Sequence, residues 1–381
     1  MYTMQRTAGL ALALCLAVST STVAQSPTPV PGPTSSPVAD APPSAWAPLI
    51  QPGKHPKARE DHTFTADLEG RAAYLFGGRT LDGAALGDLW RFDLDADTWQ
   101  RLEPEGPSPD ARFGHTATWV PGIGLVVWSG QRKQAFYDDL WRFDPSTNTW
   151  QRLQADGPVP RARYGSCAAL GPDGRLWVSH GFTDDLGRFD DTWAFDFQRG
   201  RWTDETPSGS IPGRRCLHDC TFTPDGRFLL YAGQTTGVPA LGDLWTRPID
   251  GGWVKGPRPE PAARQLYGLA VMGADAFVFG GADLNGDPLR DLWRLDLGAL
   301  TWHEVALTGQ RPKARSGAAM IADEQRSRII LFGGRSKSTA FDDLWVLSGV
   351  QATPQATPGS SPQASPQVSP EPSPSDLTEA G

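Results

Sequence analysis

Six arginines occupy one repeated position, each three residues after a proline: Arg59, Arg112, Arg163, Arg215, Arg264 and Arg315. A guanidinium fork grips a carboxylate at two points, so a ring of such groups at a channel mouth could form an anion-binding rim. Each arginine could instead pair with a repeated aspartate: Asp88, Asp139, Asp191, Asp243, Asp291 or Asp343. A feature copied six times is explained more simply by architecture than by one active site. Pairing is therefore the favoured reading.

Groups that are not copied are better candidates for recognition. Arg79, Gln131, Arg132, Lys133, Asp184, Gln234, Arg335 and Lys337 lie in segments that differ from one repeat to the next. Variable loops on a rigid frame are the usual carriers of binding. The cationic members, Arg79, Arg132, Lys133, Arg335 and Lys337, are expected to form a basic sector that attracts an acidic ligand. Asp184, Asp185, Asp283 and Asp287 would form an acidic sector opposite.

Three further groups are weighed and set aside. Asp283-Leu284-Asn285-Gly286-Asp287 offers closely spaced oxygens like the start of a calcium loop. It lacks the glutamate that would complete one, and plain turn chemistry explains it. His62, His115 and His218 each follow a repeat arginine by three residues, and imidazole suits copper or zinc. Buried, hydrogen-bonded histidines are the simpler expectation, and no metal, cofactor or catalytic set is assigned. Beyond Cys15, three cysteines remain: Cys167, Cys216 and Cys220. A disulfide from Cys167 to Cys216 or Cys220 is open, and one thiol would be left over.

These groups must be held by short strands. Asp139 to Leu153 reads as a β-hairpin: alternating Trp141 and Phe143, a Pro-Ser-Thr-Asn turn, then a strand carrying Trp150. Its first tryptophan recurs as Trp90, Trp141, Trp193, Trp245, Trp293 and Trp345. The second recurs as Trp46, Trp99, Trp150, Trp202, Trp253 and Trp302. An apolar run ending in glycine precedes each first tryptophan, from Leu75-Phe76-Gly77-Gly78 to Leu331-Phe332-Gly333-Gly334. A repeat of about 50 residues with four short strands per unit specifies an all-β, six-bladed propeller with four antiparallel strands per blade. Trp46 stands before the first glycine pair, whereas the last unit has no second tryptophan. The N-terminal strand is therefore predicted to close the last blade, which removes a bare sheet edge.

The double glycine and spaced aromatic residues resemble the kelch repeat family, over roughly Trp46 to Leu347, in an exported, bacterial-type form. One departure is that D-L-W stands where many members carry a tyrosine before the second tryptophan. The resemblance implies the propeller fold strongly and the function weakly, since kelch propellers include binding modules, carbohydrate-active enzymes and copper oxidases.

Residues 1–24 read as a secretory signal peptide: Arg6 is the only charge, Leu10 to Val18 is apolar, and Thr22-Val23-Ala24 offers small residues for cleavage. Residues 25–44 read as a Pro/Ser-rich linker, 45–348 as the propeller, and 349–381 as a disordered Pro/Ser/Gln-rich tail. A secreted or periplasmic location follows, with no segment long enough to span a bilayer. The net charge of −8 disfavours nucleic acid as a partner. The expected function is a monomeric interaction module that binds a protein or glycan through the loop face. A carbohydrate-active enzyme of the periplasmic sialic-acid mutarotase type is the alternative. That chemistry needs a carboxylate and an arginine together at the channel mouth.

Overall fold

The structure, a computed structural model, describes residues 44–257 and 261–350. The proposed signal peptide, nearly all of the linker and the tail beyond residue 350 lie outside these residues. The described chain is built from six four-stranded antiparallel sheets. Blade one consists of Thr63–Asp67, Ala72–Phe76, Leu89–Asp93 and Thr98–Leu102, taken from the inside out. The inner strands of the next five blades are Thr116–Val120, Cys167–Leu170, Asp219–Phe222, Gly268–Met272 and Ser316–Asp323.

Ala45–Leu49 supplies the outer strand of blade six, with Trp46 opposite Leu347 and Leu49 opposite Leu344. The closure read from the tryptophan spacing is therefore observed. Trp46 is buried and meets Phe279 of blade five edge-on, with ring centroids 5.4 Å apart.

The second strand of each blade is buried on both faces, as in Ala72–Phe76 and Gly124–Trp128. A strand packed between two neighbouring blades sees no water on either side, so its sequence is continuously apolar instead of alternating. The outer tryptophan of one blade packs against the aromatic residue before the glycine pair of the preceding blade. Trp99 meets Phe332 at 5.4 Å, Trp150 meets Phe76 at 5.3 Å, and Trp302 meets Tyr231 at 4.7 Å. These tryptophans glue blade to blade.

The second glycine of each pair is never replaced, although the first becomes Ser129, His180 or Ala232 in three blades. A Cβ on Gly281 would lie 2.6 Å from the Gln265 carbonyl, and the residue has φ +96°. Only glycine combines that conformation with so close a backbone approach.

Residues two places after the repeat arginines form a closed backbone ring around the central axis. Asp61 donates to Gly317, Gly317 to Leu266, Leu266 to Leu217, Leu217 to Gly165, Gly165 to Gly114 and Gly114 to Asp61, at 2.7–3.1 Å. All six have positive φ, between 53° and 65°. This ring fixes the inner strands to one another and separates the loop face from the channel beneath it.

Candidate functional site at the loop face

The repeated arginines come first, because the structure removes them from the surface. Arg59 forms a two-point bridge to Asp88 at 2.7 Å, donates to the Gly77 carbonyl, and donates from Nε to Lys57. The same pattern holds for Arg112 with Asp139, Arg163 with Asp191, Arg215 with Asp243, Arg264 with Asp291 and Arg315 with Asp343. Each aspartate also accepts the indole N–H of the tryptophan two residues later, as Asp139 does from Trp141 at 2.7 Å. Burial alone would raise these carboxyls. The guanidinium fork and the indole outweigh it and hold all six below their usual range. All six guanidiniums are buried and satisfied. The channel-mouth anion rim is corrected accordingly: these arginines tie blade structure together and offer no charge to a ligand.

The variable residues do gather on one face. The loops after the glycine pairs bridge to the residues just after the repeat arginines: Arg79 to Glu60, Gln131 to Phe113, Phe182 to Tyr164, Gln234 to Cys216, and Ala282 to Gln265. At the centre stand Glu60 and Asp61. Arg79 reaches both, at 3.1 and 2.9 Å, and Arg335 reaches Glu60 at 2.9 Å. The Tyr164 hydroxyl lies 3.5 Å from Asp61. Burial, then the neighbouring Asp61 charge, pushes Glu60 up to about 7 against the pull of the two arginines. Asp61 is also raised, chiefly by burial.

The basic sector is therefore not free. Arg79 and Arg335 are neutralised by Glu60 and Asp61, and Lys337 is paired with Asp287 of the adjacent blade. Asp287 thus neighbours the cations; it does not face them from the opposite side. Arg132 and Lys133 form a tight two-strand turn in blade two, where Lys133 has φ 55°. Asp184 sits at the tip of the blade-three hairpin, which extends beyond the glycine through Gly181↔Phe189 and Thr183↔Gly187.

Beside the charged centre runs an aromatic ledge that sequence reasoning did not assemble. The Arg79 guanidinium lies 4.7 Å over Phe113, Phe113 meets Tyr164 at 5.7 Å, and Phe182 meets Phe136 at 6.3 Å. Arg188 covers Phe182 at 5.4 Å. Exposed aliphatic tips stand further out: Leu81 at 45%, Leu186 at 47%, Val238 at 38% and Leu284 at 53% exposure.

The other candidates resolve into structure. Asp283 accepts the N–H groups of Asn285 and Asp287, which makes the D-x-N-G-D segment an Asx-type turn. His62, His115 and His218 are buried between blades. Burial holds His62 and His218 well below their usual range and His115 at about 3. His62 follows Asp61 in sequence, yet its ring turns into the interface and meets Phe332 edge-on at 5.5 Å. Carboxylates and arginines thus converge at the mouth without a histidine. Cys167 and Cys220 form a disulfide between the inner strands of blades three and four. Cys216 is the remaining buried thiol, and it accepts from Gln234 at 3.5 Å.

Residues 38–233 and 243–369 match the family described as the KLHDC2/KLHL20/DRC7 Kelch-repeats domain. This chain belongs to the kelch-repeat family. Among curated relatives, it is 25% identical to Adagio-like protein 3 of Oryza sativa subsp. japonica, over 75% of this chain and 47% of the relative. It is 27% identical to Acyl-CoA-binding domain-containing protein 4 of Arabidopsis thaliana, over 76% and 45% respectively. It is 25% identical to the Rab9 effector protein with kelch motifs of Bos taurus, over 65% and 55%. The chain thus spans about half the length of these relatives, and a kelch propeller is commonly a protein-interaction module.

Proposed function

We propose that this kelch propeller is an extracytoplasmic interaction module that binds a protein partner through the loop face. One observation carries the reading. The arginines of the centre are paired with its own Glu60 and Asp61, while an aromatic ledge, buried at Phe113 and Tyr164 and partly exposed at Phe136 and Phe182, and four exposed aliphatic tips surround it. A face of that kind gains little from a lone anion and more from burying apolar surface, with aromatic residues as anchors. A protein is favoured over a glycan on the same ground. The Cys167–Cys220 disulfide supports an oxidising compartment, in keeping with the apolar N-terminal segment.

The test is a screen of the purified chain against extracytoplasmic proteins of its source cell and against a glycan panel, beside a Leu81→Glu/Leu186→Glu/Leu284→Glu variant. Exposed substitutions of this kind leave stability within about 0.5 kcal/mol, so melting should be unchanged. A specific protein bound by the wild type and lost in the variant is expected. Glycan binding that survives the three substitutions would overturn the reading.

A second reading rests on Glu60, a carboxyl pushed up to about 7 beside two arginines. Such a group can both give and take a proton near neutrality, as a carbohydrate-active enzyme of the mutarotase type would need. Faster exchange between the anomers of an acidic sugar with wild type than with Glu60→Gln would establish it; equal rates would end it.

A further inference from the structure

The central channel is chemically separate from the loop face. It is a cavity of about 410 Å³ lined by all six inner strands, and the backbone ring through Asp61, Gly114 and Gly317 caps its loop-face end. It reaches the surface at the other end, where Leu68 is 39% exposed. Toward that opening the wall is apolar, with Ala66, Val271 and Ala322.

Below the ring the wall turns polar at one level. Residues four places after each repeat arginine are Thr63, Thr116, Cys167, Asp219, Gly268 and Ala319. Asp219 is the single charged residue of that level. Its Oδ1 accepts the Cys220 N–H at 2.9 Å, and Oδ2 has no hydrogen-bond partner among the described residues. No lysine or arginine lines the cavity among the described residues. The histidines on its wall, His62, His115 and His218, are all held neutral by burial. Asp61 is the other acid at the wall, and Arg79 takes its charge from the loop side. A low-dielectric channel with one uncompensated carboxylate concentrates a negative field.

We propose that this channel binds a small organic ammonium ion, a primary alkylamine, with its head on Asp219 and its chain along the apolar wall toward the Leu68 opening. Thr63, in the diametrically opposite blade, lines the same space, with its hydroxyl hydrogen-bonded to His115 Nε2 at 3.0 Å. A chelated metal is not the occupant this wall suits, because no group of three His, Cys, Asp or Glu converges among the described residues. An alkylamine needs one carboxylate and an apolar sleeve, and both are present. The inference stands whether or not the loop face binds a protein.

The test uses the full chain, n-butylammonium chloride as probe and sodium chloride at equal ionic strength as control, read by titration calorimetry at pH 8. Saturable binding of n-butylammonium alone is expected, weakened at least about tenfold in Asp219→Asn. Asparagine keeps the acceptor for Cys220 N–H, and Asp219→Ala serves if that variant fails to fold. At pH 5 binding should weaken, because burial pushes Asp219 up to about 7 and leaves it largely protonated there. Of the other titratable groups at the cavity, Tyr267 is raised well above its usual range and His218 is held well below its own, while Asp61 in the opposite blade is also raised by burial, so Asp219→Asn measured at both pH values separates the share of Asp219 from that of Asp61. Equal binding by the neutral variants, or heats indistinguishable from sodium chloride, would overturn the proposal, and neither outcome would bear on the loop face.

Discussion

A single aspartate per blade accepts three or more hydrogen bonds, from a guanidinium fork and an indole, and that small knot is repeated around the molecule. Removing one member leaves a buried guanidinium without its counter-charge, which costs far more than the pair itself contributes. Asp139→Ala should therefore destabilise the chain by about 3–5 kcal/mol, while Asp138→Ala, one residue away, should cost under about 1 kcal/mol. Denaturant titration of both variants decides it, and equal midpoints would mean the knots are ornamental. These pairings were legible because the sequence prints them six times. Glu60 and Asp61 were harder to see. Their repeat positions carry Phe113-Gly114, Tyr164-Gly165, Cys216-Leu217, Gln265-Leu266 and Ser316-Gly317 elsewhere, so a charged pair at the ring was visible only by comparing the repeats column by column. Asp219 was hidden in the same way among threonine, cysteine, glycine and alanine.

At the scale of strands, spacing carried most of the information. The hairpin around Trp141, the glycine-ended second strand and the borrowed outer strand all follow from period and turn chemistry. Spacing could not say which cysteine would meet Cys167. Cys220 and Cys216 both belong to the next blade, and the inner strand had to be in place before Cys220 faced Cys167 across it. Nor could it show that Arg79 and Arg335 would turn inward onto Glu60, because that depends on where two loops from different blades end. The borrowed strand gives a direct test. A chain beginning at Ser44 retains Ala45–Leu49, whereas one beginning at Ile50 loses Trp46 from the interface with Phe279 and bares the edge Leu344–Ser348. Loss of a buried tryptophan alone costs about 3–5 kcal/mol, so the shorter chain should melt many degrees lower and aggregate on heating. Matching melting curves would refute closure by this strand.

The whole molecule answers to pH through groups whose folded values are moved in opposite directions. The six aspartates of the arginine knots are held low, so the stability they add is present above the usual carboxylate range and is lost as pH falls through their folded values. The buried histidines, His62, His115, His180 and His218, are held low as neutral groups, so their share is likewise present above about 6.5 and lost on acidification. Asp219 works the other way. Its folded value is raised from 3.8 to about 7, so the stability linked to it is complete below the unfolded value and is lost as pH rises to 7. Stability should therefore climb from pH 3 toward neutrality, with Asp219 and the likewise raised Glu60 and Asp61 subtracting from the climb. Asp219→Asn isolates that subtraction. The difference between variant and wild type should be smallest near pH 4, grow toward pH 7 in favour of the variant, and level off at roughly 4 kcal/mol. Calorimetric melting of both proteins from pH 3 to 9 measures this difference directly. A difference that stays flat across the range would mean that Asp219 is solvated like a surface carboxylate. The channel would then lack the uncompensated charge that draws a cation into it.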